Sequence, residues 1–110
     1  MNHVLTNFKQ VPIRSPRHLE LCRWLGCAVP GCRAREGIHA HHVRRASSSG
    51  MGVKPGDDDC IGLCHRHHHE LHQYGEATCS AKWRLDLLAT AARIATASRL
   101  LGILPTREAA

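Results

Sequence analysis

Cys64-His65-Arg66-His67-His68-His69-Glu70-Leu71-His72 holds five histidines and a cysteine in nine positions, and its reading decides the fold. As a helix, the stretch sorts its own side chains. His68 and His72, four apart, share one face; Cys64 and His67, three apart, share a neighbouring face near the helix start. Imidazole and thiolate are the side chains that hold zinc and similar borderline-soft ions. One helix can therefore serve two ions, one at its N-terminal edge and one along its side.

Upstream, Cys27-Ala28-Val29-Pro30-Gly31-Cys32 sets two thiols around a Pro-Gly turn that can fold them toward one point. Joining Cys27 and Cys32 to Cys64 and His67 gives a closed site of three cysteines and one histidine, the structural kind of zinc site. A chain of 110 residues with four aromatics (Phe8, Trp24, Tyr74 and Trp83) has a limited core, and such a staple suits it. That leaves His68 and His72 with the histidines of Ile38-His39-Ala40-His41-His42-Val43. With His41 as third ligand, one coordination position stays open for water or a phosphate oxygen, as catalytic sites require. His42 is then free to act as a general base, since an unperturbed imidazole titrates near neutrality.

The surrounding pattern gives the elements. Ser15-Pro16 starts a helix that Gly26 ends. Ile38 to Val43 and Asp59 to Leu63 read as two antiparallel strands. Residues 46–57 between them are small, polar and glycine-rich and read as a mobile surface loop. The histidine helix runs to about Gln73 and stops at Gly75. Ala81 to Leu101 reads as one long helix of roughly 30 Å at the usual rise. Its Leu87, Ile94 and Leu101 recur every seven residues, a core stripe or, alternatively, a homodimer seam. Strict alternation along a strand would turn His41 and His42 to opposite faces, so the assignment needs the strand to end or twist at His42. A shifted pair, His39 and His41, is the competing choice. His39, His65 and His69 are otherwise non-ligands, and Cys22, Cys60 and Cys79 read as buried small apolar residues.

The formal charge is +6, and twelve of the fifteen basic residues are arginine, whose planar fork matches phosphate oxygens in pairs. A polyanion, DNA above all, is the partner this balance favours. Arg44 and Arg45 follow the histidine pair directly and, with Lys54, are the candidate DNA contacts. Arg23, Arg33, Arg35 and Arg66 extend that basic surface. No stretch approaches the ~20 apolar residues that span a bilayer, so no membrane partner is expected. Met1 to Gln10 lacks an apolar run of the signal-peptide kind, which argues against disulfides and for a reducing compartment.

The ordered set resembles the HNH endonucleases, the ββα-metal or His-Me finger nucleases. It rests on Ala40-His41-His42-Val43, then Leu63-Cys64-x2-His67-His68-x3-His72, preceded by the paired cysteines. The wider context, Gly50 to Asp57 (GMGVKPGD) and Leu71-His72-x2-Gly75-Glu76, is similar to a phage and prophage branch linked to recombination. The resemblance covers residues 15 to about 83. It implies an α+β fold, a small ββα-metal core with a zinc knuckle, to which the pattern above adds an N-terminal helix and a long C-terminal helix. The expected division is an arm at 1–14, the nuclease core at 15–80, the C-terminal helix at 81–104 and a flexible tail at 105–110. It implies His41 as a metal ligand and His42 as the residue that activates water. Structural zinc, an active-site Mg²⁺, Mn²⁺ or Zn²⁺, and a cytoplasmic location in a bacterial host follow in the same way. The family's central asparagine falls on Asp59 by spacing, with Asp57 as competitor; neither can donate as an amide does.

Other zinc chemistries fail on specific positions. A metalloprotease helix needs a second histidine at position 73, where Gln73 stands. A nucleobase deaminase needs Pro-Cys-x-x-Cys and His-x-Glu, and neither is present. A two-cysteine, two-histidine finger would want histidine where Arg45 stands. The alternative from another class is a non-catalytic, zinc-stapled DNA-binding module. A metal store or sensor, with high metal affinity and no DNA binding, is the third.

Overall fold

A computed structural model of the chain describes residues 12–44 and 55–106. Arg45 and Lys54, with most of the glycine-rich connection, lie outside the described residues. So do the greater part of the N-terminal arm and the last four residues of the tail. Within them the chain is a small α+β domain, with four helices and one two-stranded antiparallel sheet.

The first helix, α1 (Pro16–Trp24), begins as the sequence requires. The Ser15 hydroxyl accepts from the His18 N–H at 3.2 Å, and Pro16 occupies a first-turn position where no donor is needed. Gly26, at φ +87°, ends it in a left-handed conformation. Strands β1 (Ile38–His42) and β2 (Cys60–Cys64) pair with Ile38 opposite Cys64 and His42 opposite Cys60. α1 lies against the middle of this ribbon. A Cβ on Gly62 would sit 2.5 Å from the Cys22 carbonyl oxygen and 2.6 Å from that of Gly26, so only glycine admits the helix so closely.

α2 (His65–Tyr74) packs on the ribbon, α3 (Glu76–Trp83) packs on α2, and α4 (Leu87–Leu100) lies against β2 and reaches α1. The core there joins Val29, Val43, Ile61, Leu63, Leu71, Cys79, Trp83, Leu87 and Ala91. Cys22, Cys60 and Cys79 are fully buried, as small apolar residues would be.

Three expectations need correction. The single helix over 81–101 is two. Arg84 takes left-handed angles (φ 54°, ψ 48°), the Ser80 hydroxyl donates to the Leu85 carbonyl at 2.6 Å, and the Asp86 carboxylate caps a new helix by accepting from Ala89 N–H at 2.9 Å. The expected boundary at 80/81 therefore falls inside α3, and α4 is only about 21 Å long at the usual rise. Nor is its packed face the seven-residue repeat: Leu87, Ala91, Ala95 and Ser98 are buried, while Leu101 is 65% exposed. Third, the acidic end of the expected surface loop is buried structure. Asp57–Asp59 form a 3-10 turn, with Asp57 only 4% exposed, and Asp59 belongs to that turn instead of to β2.

Candidate metal centres

The knuckle assembles the first site. Cys27 N–H donates to the Ala34 carbonyl, Ala28 N–H to that of Gly62, and Cys32 N–H to that of Val29. Gly31 at φ +83° after Pro30 is the geometry of a type II turn. Cys64 ends β2 and caps α2, and His67 follows within the first turn, buried edge-on to Trp83 at 5.4 Å between ring centroids. The Cys27 and Cys64 sulfurs lie 3.4 and 3.3 Å from His67 Nδ1, and Cys32 Sγ is 4.0 Å from Cys64 Sγ. Ligands of one tetrahedral zinc are separated by roughly 3.5–3.8 Å, given its usual bond lengths. The four residues fit, and they could hold a metal ion, a donor set consistent with zinc. Burial pushes the Cys27 thiol up to about 11, so drawing off its proton needs a cation in the cage. The Ala34 N–H, by contrast, holds Cys32 below its ordinary value.

The second group is His41, His68 and His72, whose ligand atoms fall within 4.8 Å of one another. His68 Nε2 and His72 Nε2 are 3.0 Å apart, the i, i+4 pair on the side of α2. His41 comes from β1, its ring centroid 5.3 Å from His68 and 5.8 Å from His72. Burial, then the neighbouring His41 and His72, pushes His68 down to about 4, so its imidazole is neutral at physiological pH. Burial likewise lowers His41, against the hydrogen bond and charge of Glu76. These three also could hold a metal ion.

β1 runs through His42, and the two adjacent histidines do part company. His41 turns to α2, whereas His42 Nε2 lies 2.8 Å from Asp57 Oδ1 on the α1 side. Both nevertheless line one open cavity of ≈ 480 Å³ with Arg44, Pro55, His72 and Glu76, because they stand at the end of the ribbon. Asp57 Oδ2 accepts from the Ser15 N–H at 2.7 Å, and Arg14 approaches Oδ1 at 3.3 Å. Burial alone would raise the Asp57 carboxyl. The His42 and Ser15 hydrogen bonds and the charges of His42 and Arg14 outweigh it and hold the group below the ordinary carboxylate value. Of the two aspartates competing for the central role, Asp57 makes a direct contact with His42.

A third group, His42 with Asp57 and Cys60, also lies close enough to hold a metal ion. His39, His65 and His69 stay outside all three groups, although the His39 ring is 4.8 Å from that of His68. Arg44 is exposed at the cavity. Glu76 carried no role in the sequence, yet its Oε2 lies 2.9 Å from His41 Nε2. The signal was its place just after the glycine that stops the histidine helix. Comparison with protein-family models, curated proteins and solved structures found no match to this chain.

Proposed function

We propose that the chain is a metal-dependent HNH-type DNA endonuclease of phage or prophage origin, with β1, β2 and α2 as its ββα-metal core. The observation that carries this reading is the convergence, in one open cavity, of His41 and His72 of the three-histidine group with His42, an imidazole outside that group. A binding module has no use for such a histidine.

When bound at His41, His68 and His72, a divalent ion supplies positive charge that polarises a phosphodiester and stabilises its leaving 3′ oxygen. The rest falls to the chain. The ionised Asp57 can only accept, so His42 donates from Nε2 and keeps the Nδ1 lone pair. That lone pair takes the proton of the attacking water, with Asp57 fixing tautomer and ring orientation. Arg44 grips a phosphate beside the cut, and the basic surface holds the duplex backbone. The cysteine-histidine cage holds structural zinc and clamps the knuckle to α2.

The test is cleavage of supercoiled plasmid by purified protein with Mg²⁺, Mn²⁺ or Zn²⁺, beside His42→Ala. Cutting by the wild type and its loss in the variant are expected. Equal cutting by both, or none with any metal, overturns the mechanism; DNA binding without cutting would return the zinc-stapled binding module.

A further inference from the structure

We infer that Glu76 is a positioning residue for the three-histidine site, acting through His41; the inference rests on the metal-site part of the reading above. Glu76 stands in the first turn of α3, immediately after Gly75 has ended α2. Its Oε2 is 2.9 Å from His41 Nε2, and both carboxylate oxygens face the Arg44 backbone N–H, at 3.3 and 3.2 Å. The carboxylate is thus tied to the strand end on which both active-site histidines sit. Its location at a helix N-terminus also favours negative charge there.

The consequence for His41 is specific. A carboxylate accepts only, so His41 donates from Nε2, and Nδ1 is the nitrogen with a lone pair to coordinate. Histidine ligands commonly commit their second nitrogen to a carboxylate in this way, which fixes the tautomer and raises basicity. His68 and His72 instead meet through their Nε2 atoms, 3.0 Å apart. Without Glu76, the buried His41 ring could turn over or exchange tautomers, and the site would have two oriented ligands in place of three.

The experiment titrates the zinc-loaded chain with Co²⁺ and reads its visible absorption. The wild type takes up Co²⁺, and His68→Ala weakens this strongly. Glu76→Ala binds 10- to 100-fold more weakly, in the range usual for loss of such a partner. Glu76→Gln, whose amide oxygen still accepts from Nε2–H, recovers most of the affinity. ¹⁵N spectra of the imidazoles show His41 as the Nε2–H tautomer in the wild type and Glu76→Gln but not in Glu76→Ala, with zinc content confirming that each variant is folded. Unchanged affinity in Glu76→Ala, or Glu76→Gln as weak as Glu76→Ala, overturns the inference; the second result would make the carboxylate itself a ligand. Equal uptake by wild type and His68→Ala removes the three-histidine site, and the inference with it, a failure distinct from that of the Glu76 variants alone.

Discussion

His42 Nε2 and Asp57 Oδ1 are 2.8 Å apart, and the same carboxylate binds the Ser15 N–H that opens α1. One buried side chain thus ties the end of β1 to the start of the first helix. Asp57→Ala removes the acceptor from both. The orphaned donors should cost about 1–3 kcal/mol of stability, read as a lower urea midpoint in the zinc-loaded protein. Plasmid cleavage should fall as well, because the His42 tautomer is no longer fixed; a variant as stable and as active as wild type would contradict the pairing.

Removing a thiol from the cage should unfold the domain. Structural zinc in small domains contributes about 10–16 kcal/mol, as much as the whole stability of a typical domain. Cys64→Ser should therefore lose one zinc by native mass and its helical circular dichroism together. Chelation of the wild type should do the same, and a folded, zinc-free Cys64→Ser protein would remove the staple from the account.

Acid should weaken the fold through His18, which is fully buried between α1 and α4 with Nδ1 2.8 Å from Ser98 Oγ. Burial lowers its pKa from 6.5, against the raising charges of Asp58 and Asp57. The unfolded chain therefore binds this proton more readily, and stability rises with pH across the interval between the folded and unfolded values. Falling pH should lower the urea midpoint from about 6.5 downward until the folded value is passed. His18→Gln should flatten that part of the profile, and parallel profiles would refute the assignment.

Gly62→Ala places a methyl against two backbone carbonyls that no rotamer change can move away. A loss of about 1–3 kcal/mol is expected from the forced shift of α1, measured by thermal unfolding. An unchanged Tm would mean that the helix rides less closely on the ribbon.

Arg44→Ala should weaken DNA binding alike on all sequences and lower the salt slope by about one, as for loss of a single phosphate contact. Binding isotherms of His42→Ala and the double variant across salt concentrations check this without cleavage. An unchanged slope would place Arg44 off the DNA.

What the sequence disclosed was governed by local rules. Ser15-Pro16, Pro30-Gly31 and Gly75 act through their own backbone angles, and the i, i+4 spacing of His68 and His72 needs only a helix. Two of the three possible metal groups were therefore legible before any tertiary contact, and the third, His42 with Asp57 and Cys60, was not. Longer-range facts were not. That Asp57 meets His42 depends on the buried 3-10 turn, just before which Gly56 packs beside Ile13. Glu76 reaches His41 because α3 follows α2 with only Gly75 between them. The break after Trp83 was concealed by helix-forming residues on both sides, although Asp86, a good cap three residues before Ala89, marked it.

The neighbours His67 and His68 face different metal groups from consecutive positions on α2. About 100° of arc separates them, a quantity set by the peptide geometry of any α-helix and beyond the reach of selection on side chains. The angular phase of this one rod is therefore common to both centres. A twist that improved the fit of either group to an ion would detune the other, so a change made for one is felt at both.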